Sequence, residues 1–414
     1  MKLLLFTIFV FYSTALLANK VDVTYAGFAV SAEYKDIDKS AYFTNKIIEK
    51  KGNIIDKSLI DITKKLLLDN IKINYGLIDN KNSKIAMSVF LDQEILEEFK
   101  LSETDCKKIN ISDCYIYRIN NYYQIIFFDF EKMTFLHAIP FDGLYVSDPI
   151  KKLDEKGKIK IFEEFYDNGK WLKPPDFDQT EYRAYTDILP QLKLKYFYDN
   201  YLGVNPSVDG FKINISKVEN LLPDNISNNI YLLKRQIANF FLGEIALKHK
   251  VPIVPYYEGV GIGQKLKAKY ADRSEVFELT LPEPTHFIDF NIRGFVKKKF
   301  KEDSNIKNLT WWVYGAGIDL RFYQPELQKE YLNISMTKAN FKKIPDVMKL
   351  TKKNEFVNLY QLTYGPLAVE FSNILKSDFK NKKDRDWLKK ITKGQTTVEQ
   401  LENIQNLLNK LKIE

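Results

Sequence analysis

Three histidines are the residues of this chain best suited to acid–base chemistry or metal binding, and they lie far apart. They are His137, His249 and His286, and none stands in H-E-x-x-H or another zinc-binding spacing. His137 lies among the apolar residues of a predicted strand. His249 lies at the end of a predicted helix, where a cation complements the helix dipole. His286 begins a strong strand pattern, so it is the histidine best placed for a site.

A glycine-rich run followed by a lysine is the strongest local signal for ligand binding. Gly259, Gly261 and Gly263 precede Lys265, and glycines with a lysine can cradle a phosphate group. The spacing differs from that of the P-loop, and the residues after Lys265 alternate as in a strand instead of starting a helix. We therefore expect a β-turn here, with a phosphate site as the alternative.

Two carboxylates near His286 could act as an acid and a base. Glu283 lies between Pro282 and Pro284, and Asp289 follows His286 by three residues. The prolines predict a rigid turn between strands, but no pattern fixes the geometry of the carboxylates. The chain also lacks the G-x-S-x-G nucleophile elbow of many hydrolases. Surface charge is the simpler interpretation, and a periplasmic hydrolase is the alternative.

Two adjacent tryptophans, Trp311 and Trp312, stand in a predicted strand. Neighbouring strand residues point to opposite faces of a sheet, so we expect one tryptophan to be buried and the other exposed. An exposed tryptophan near Tyr256, Tyr257 or Phe287 would form a protein- or sugar-binding surface, whereas ordinary sheet packing is the alternative. The candidate binding residues are therefore Trp311, Trp312, Tyr256, Tyr257, His286 and Lys265.

The two cysteines of the chain, Cys106 and Cys114, are close in sequence. An even, closely spaced pair in an exported protein predicts a disulfide. Closing such a short loop stabilises a fold by about 2–3 kcal/mol in the chain-entropy model. Metal binding is the alternative, but no histidine lies nearby. We predict no metal and no cofactor.

The first eighteen residues have the pattern of a cleavable signal peptide. Lys2 precedes the apolar stretch 3–17, and Ala15 and Ala18 are both suitable cleavage points. The apolar core is shorter than the roughly 20 residues of a spanning helix, so an uncleaved anchor is the less favoured alternative. No cysteine lies at the junction, so we do not expect a lipid-anchored N-terminus. We therefore expect a periplasmic or secreted protein without a transmembrane span.

Composition predicts a β-rich fold without a nucleic-acid partner. Tyr and Phe number 25 and 29 among 414 residues, and aromatic residues favour strands. The net charge of +8 is spread along the chain, with its densest clusters at 297–301 and 376–385. A nucleic-acid binder would concentrate its positive charge on one face. Contact with an anionic envelope surface is the alternative use of this charge.

Hydrophobic periodicity predicts an α+β fold of two β-rich units, each a helix packed on an antiparallel β-meander, followed by a C-terminal helical segment. The predicted boundaries are 19–149 for the first unit, 150–205 for a linker or capping segment, 206–342 for the second unit and 343–414 for the C-terminal helices. Within the first unit, 122–130 and 133–141 read as a β-hairpin. Residues 228–248 read as the helix of the second unit.

These patterns favour a non-enzymatic binding or assembly protein of the cell envelope. Exposed strand edges, aromatic patches and the C-terminal helix would bind other envelope proteins. Peripheral contact with a membrane is a further option, and the oligomeric state stays open. A periplasmic hydrolase or a small-ligand-binding protein is the alternative.

Overall fold

The structure is a computed structural model that describes most of the chain as two β-sheets with helices packed on them. The described residues are 20–31, 41–75, 84–167, 169–175, 183–192, 194, 202–207, 230–256, 265–271, 276–304, 309–345, 352–377, 381–391 and 397–411. The predicted signal peptide, Tyr257 and the glycines of 259–263 lie outside these ranges. The predicted α+β class, with a β-meander and C-terminal helices, is confirmed.

The larger sheet has nine strands among the described residues. They are β1 (Val21–Ser31), β2 (Ile71–Asn74), β3 (Ile85–Gln93), β4 (Leu96–Lys100), β5 (Cys114–Asp129), β6 (Thr134–Val146), β7 (Ile150–Lys151), β9 (Lys265–Tyr270) and β10 (Val276–Thr280). β5 and β6 form an antiparallel hairpin, which confirms the hairpin predicted at 122–130 and 133–141. The sheet as a whole is mixed, because β1 runs parallel to both β2 and β3.

Six strands of this sheet close into a ring in the order β1-β3-β5-β6-β10-β9, since β9 pairs back onto β1. β9 and β10 come from the range that we assigned to a second unit, 206–342, so strand pairing crosses the predicted boundary. The division of the chain at residues 149 and 206 stays a prediction.

The ring buries both faces of β3, β5 and β6 but leaves the outward face of β9 and β10 largely exposed. Its interior is filled by small and aromatic residues such as Ala29, Ala86, Phe90 and Phe128, as in other small barrels. Its outer wall packs a second core around Trp171. The helices on this side are α1 (Tyr42–Lys51), α2 (Ile54–Thr63), α4 (Glu155–Asp167) and α5 (Tyr185–Ile188). The range 150–205, which we predicted to be a linker or capping segment, therefore supplies core residues.

The predicted disulfide is present. Cys106 lies on the short helix α3 (Glu103–Lys108), and Cys114 is the first residue of β5. Their sulfur atoms are bonded, and both residues are buried. The bond ties α3 to the end of a ring strand.

The second sheet has four strands in the order β13-β12-β11-β8. They are β8 (Leu202–Ser207), β11 (His286–Glu302), β12 (Leu309–Gln324) and β13 (Lys329–Pro345). The last three form an antiparallel meander, and β8 runs parallel to β11. One face of this sheet shares a core with the helices α6 (Ile230–His249), α7 (Lys352–Lys376), α8 (Lys382–Ile391) and α9 (Val398–Leu411).

Helix α6 lies between the ring and the second sheet. Ile237, Phe241 and Ile245 pack in the core of the second sheet. On its other side, buried Arg235 forms an ion pair with buried Asp92 of β3, and Asn239 donates to the same carboxylate over 3.1 Å. Burial raises the pKa of Asp92, and Arg235 opposes that shift. The ring is thus joined to α6 by this buried polar cluster and by the contact of Tyr122 with Phe240, whereas the second sheet meets α6 through apolar side chains.

The last helix, α9, begins with a capping box. Thr397 Oγ1 accepts from the backbone N–H of Gln400 over 3.2 Å, and Gln400 Oε1 accepts from the N–H of Thr397 over 3.1 Å. These reciprocal bonds satisfy donors that a helix start leaves open. Among the described helices, none is both long and apolar enough to cross a bilayer.

Candidate functional site

The second sheet presents one face to its core and the other to the surface. Along β12, every second residue from Tyr314 to Leu320 is buried in the core, whereas Gly315, Gly317 and Asp319 lie on the opposite face. Period-two alternation of this kind is typical of a sheet with a single covered face. We call the outward-pointing side chains of β11, β12 and β13 the outer face.

Trp311 and Trp312 lie on opposite faces of β12. Trp312 packs against the core, whereas Trp311 points to the outer face. Neither is fully exposed, since both side chains are half-buried. Trp311 is partly covered because its indole N–H donates to Asp303 over 2.8 Å and the Lys343 ammonium lies 4.4 Å from its ring centre.

One end of the outer face combines lysines with exposed apolar side chains. This lysine end consists of Val296, Lys298, Phe300, Lys301, Trp311, Phe341 and Lys343. Val296 and Phe300 are each 58% exposed, and Phe341 is 52% exposed. The rings of Phe300 and Phe341 meet edge to face with centres 5.1 Å apart. Aromatic side chains therefore form a cluster that water still reaches.

The opposite end combines arginines with aromatic and acidic side chains. This arginine end consists of Phe287, Asp289, Arg293, Asp319, Arg321, Tyr323, Glu330 and Ser335. Phe287 stacks on Tyr323 with ring centres 5.7 Å apart, and the Arg321 guanidinium lies 4.6 Å from the Tyr323 ring. Burial, followed by the nearby Asp289 carboxylate, raises the pKa of Tyr323.

Small residues make the centre of the outer face flat. Gly315 and Gly317 of β12 stand beside Ala339 and Thr337 of β13. Arg293 lies across Gly317, where an added Cβ would come within 3.2 Å of the guanidinium. A partner could therefore approach the backbone closely at Gly315, between the two aromatic ends, whereas Arg293 covers Gly317.

The two ends differ in how their charges are balanced. At the arginine end, Arg293 pairs with Asp319 over 3.0 Å and Arg321 pairs with Glu330 over 2.8 Å. At the lysine end, Lys298 and Lys301 have no carboxylate partner among the described residues. The arginine end is thus close to neutral, whereas the lysine end carries surplus positive charge.

The other predicted binding residues lie elsewhere. Tyr256 is buried in the core shared by α6 and the second sheet. His286 is buried against Phe322 and Tyr331 on the inner face, and burial lowers its pKa. Lys265 begins strand β9 of the ring and pairs with Glu278 over 2.6 Å. Of the candidates that the structure describes, only Trp311 reaches the outer face, so these residues do not form one site, and Tyr257 lies outside the described residues.

The structure also separates the residues considered for acid–base chemistry. His286 points into the core, whereas Asp289 lies on the outer face and accepts from Tyr323. His137 is buried in the ring, and burial lowers its pKa to about 4. His249 is buried with its Nε2 atom 3.1 Å from Ser372 Oγ. No metal-binding group of three or more His, Cys, Asp or Glu side chains occurs within the described ranges.

Sequence reasoning missed most of the outer face, including Phe300, Phe341, Arg321 and Tyr323. The signal for the lysine end was present as the charge cluster 297–301, where Lys298 and Phe300 continue an alternation that begins at Val296. The positive charge looked diffuse because Lys342 and Lys343 are more than forty residues away in sequence. Strand pairing brings Lys343 beside Trp311 and, through it, next to Lys301.

Comparison with known proteins adds little to this description. No protein-family model matches the chain, and no curated protein matches it. One solved structure is of a Helicobacter pylori protein described as a homolog of neuraminyllactose-binding hemagglutinin. The alignment covers 36% of this chain and 79% of the Helicobacter pylori chain. The aligned residues are 13% identical, and the TM-score is 0.22. A similarity this low carries no argument about what this chain does.

Proposed function

We propose that this chain is an exported, non-enzymatic binding or assembly protein of the cell envelope that acts through protein–protein contacts. The observation that carries the proposal is the open outer face of the second sheet. Contiguous exposed apolar surface on a folded protein marks interaction sites. Export is part of the proposal, and it is supported by the signal-peptide pattern of the first eighteen residues.

The arginine end is the part of the outer face best suited to a protein partner. Protein interfaces are enriched in Tyr, Phe and Arg, the residue types of Phe287, Tyr323 and Arg321. The arginines already have carboxylate partners on the same face, so a partner need not supply opposite charges. The matching chemistry is therefore an uncharged, partly apolar protein surface that covers Phe287, Tyr323 and the flat centre beside them.

Affinity capture with paired variants tests this function. The tagged mature protein is used to capture partners from its own envelope fraction, as wild type and as the Phe287→Ser/Tyr323→Ser variant. The matched control is Leu67→Ser/Phe130→Ser, which removes two exposed apolar side chains from the half of the molecule that contains the ring.

We expect the wild type and the control to capture the same protein and the outer-face variant to lose it. Circular dichroism checks that the outer-face variant is folded, because the variant loses the ring contact, worth about 1 kcal/mol, and also the area that the two half-buried rings cover. Equal capture by all three proteins, or equal loss in both variants, would contradict the assignment of this face.

A further inference from the structure

The lysine end of the outer face differs from a typical protein interface in its charge. Among the described residues, six lysines lie where β11 and β13 end and β12 begins, together with two carboxylates, Glu302 and Asp303; Lys298, Lys301 and Lys343 are on the outer face, and the other three are on the inner face. The lysines are Lys297, Lys298, Lys299, Lys301, Lys342 and Lys343. Glu302 pairs with Lys299 over 2.9 Å, and Asp303 lies 3.4 Å from Lys343. The ammonium groups of Lys298 and Lys301 have no carboxylate partner among the described residues.

This end of the sheet projects beyond the core. The last five residues of β11, 298–302, are all exposed, although the first seven alternate between buried and half-buried. Phe300 lies in the middle of this exposed segment and contacts Phe341 of β13. Two exposed phenylalanines, one on β11 and one on β13, therefore lie in contact near Val296 and Trp311.

Lysine and phenylalanine side by side suit the surface of a bilayer better than the surface of a protein. Lysine is depleted in protein interfaces. At a membrane, aromatic side chains enter the interfacial region, while lysines extend their ammonium groups to anionic headgroups. The Lys298 and Lys301 ammonium groups are available for this because no described carboxylate pairs with them.

We propose that the lysine end of the second sheet docks on an anionic lipid surface, with Phe300 and Phe341 entering the interface and Lys298 and Lys301 binding headgroup phosphates. This binding goes beyond the proposed protein contact, which uses the opposite end of the same face. A protein carrying both ends could hold its partner at the membrane surface without a lipid anchor of its own.

Vesicle sedimentation of the mature full-length protein tests the proposal. The probes are vesicles of phosphatidylcholine alone and vesicles of phosphatidylcholine with an equal part of phosphatidylglycerol. The charge variant is Lys298→Gln/Lys301→Gln. Its matched control, Lys389→Gln/Lys390→Gln, removes the same charge from the exposed lysines at the end of α8.

We expect the wild type to sediment with the anionic vesicles only, and to be released as salt is added. A lysine at a membrane surface contributes about fivefold to partitioning, so the charge variant should bind roughly twentyfold more weakly. The control should bind like the wild type. The Phe300→Ser/Phe341→Ser variant should bind at least about tenfold more weakly, since each ring loses a favourable transfer from water. The exposed Leu327→Ser variant should not change binding.

Two results would overturn the proposal. The first is a wild type that does not sediment with anionic vesicles. The second is an equal loss in the charge variant and its control, which would indicate attraction by net charge alone. If the Phe300→Ser/Phe341→Ser variant instead loses a captured protein and no vesicle binding is seen, the lysine end is an acidic-protein contact. Because capture at the arginine end is measured separately, the two proposals can fail independently.

Discussion

The ring and the second sheet differ in burial, because β3, β5 and β6 of the ring are covered on both faces, whereas the meander of the second sheet is covered on one. In the ring, eight of the nine residues of β3 are buried, because one face packs inside the ring and the other packs under helices. In the second sheet, buried and half-buried residues alternate along the first seven residues of β11. Closure of one sheet thus leaves the other as the main place where an ordered sheet surface can meet a partner.

The same difference is visible in composition. β5 contains the nearly continuous apolar run Ile125–Phe128, whereas β11 alternates Ile288, Phe290 and Ile292 with polar residues. A strand covered on both faces must be apolar at successive positions, and a strand covered on one face must alternate. Exposed aromatic residues in the alternating strands therefore need a functional reason, and the apolar residues of the ring do not.

The largest expected effect comes from breaking the polar contact between the ring and α6. Asp92→Ala leaves the buried Arg235 guanidinium without its carboxylate, which typically costs 3–5 kcal/mol. As a comparison on the outer face, Asp319→Ala removes the partly exposed partner of Arg293 and should cost less than about 1 kcal/mol. Urea unfolding of both variants measures the two losses. Similar losses would show that the two sheets do not differ as described.

The next effect is a pH dependence that originates in the ring. Burial lowers the pKa of His137 to about 4, against about 6.5 in an unfolded chain. Between these values the unfolded state binds the extra proton, so lowering the pH through this window destabilises the fold by up to about 3 kcal/mol. His137→Leu should remove that part of the pH dependence. His286→Leu should remove less, because a hydrogen bond to Gln324 opposes the effect of burial.

Unfolding curves of the wild type and both histidine variants at pH values between 7 and 4 provide the measurement. Other acidic groups titrate in the same range, so the informative quantity is the difference between each variant and the wild type. A His137→Leu variant that loses stability in parallel with the wild type would show that His137 is protonated in the fold.

A smaller effect is expected from the disulfide between α3 and β5. Replacing Cys106 and Cys114 with serine should lower the free energy of unfolding by about 2–3 kcal/mol, through the larger entropy of the unfolded chain. Because the bond lies at the ring, partner capture and vesicle binding by the second sheet should not change. Thermal unfolding with and without reductant, followed by both binding assays, tests this separation. Loss of binding in a folded variant would contradict it.

The local sequence pattern was sufficient to predict elements whose contacting residues are close together in the sequence. The hairpin of β5 and β6 and the helix predicted at 228–248, observed as α6, follow from period-two and period-3.6 spacing. Pattern alone would start the capping box of α9 one residue early, at Thr396 with Glu399, whereas Thr397 and Gln400 form the reciprocal bonds. Such one-residue errors arise when two polar residues of equal capping ability adjoin.

Long-range pairing could not be predicted from spacing. The alternation in β9 indicated a strand, but nothing in it identifies β1 as the neighbour that closes the ring. The helix α4 was missed in the segment 150–205, although Ile161, Phe162, Phe165 and Tyr166 recur at helical spacing. The lysine end needed the register of three strands before Lys301 and Lys343 could be placed around Trp311.

Site-specific photo-crosslinking tests the central claim, that the outer face of the second sheet is the working surface, most directly. A photoreactive phenylalanine replaces Thr337 at the exposed centre of the outer face, or Leu67, which is 87% exposed beside the ring. Each protein is irradiated in its own envelope, and adducts are detected by a shift in mass. We predict a discrete protein adduct from position 337 and none from position 67. An adduct from position 67 with none from position 337 would contradict the account.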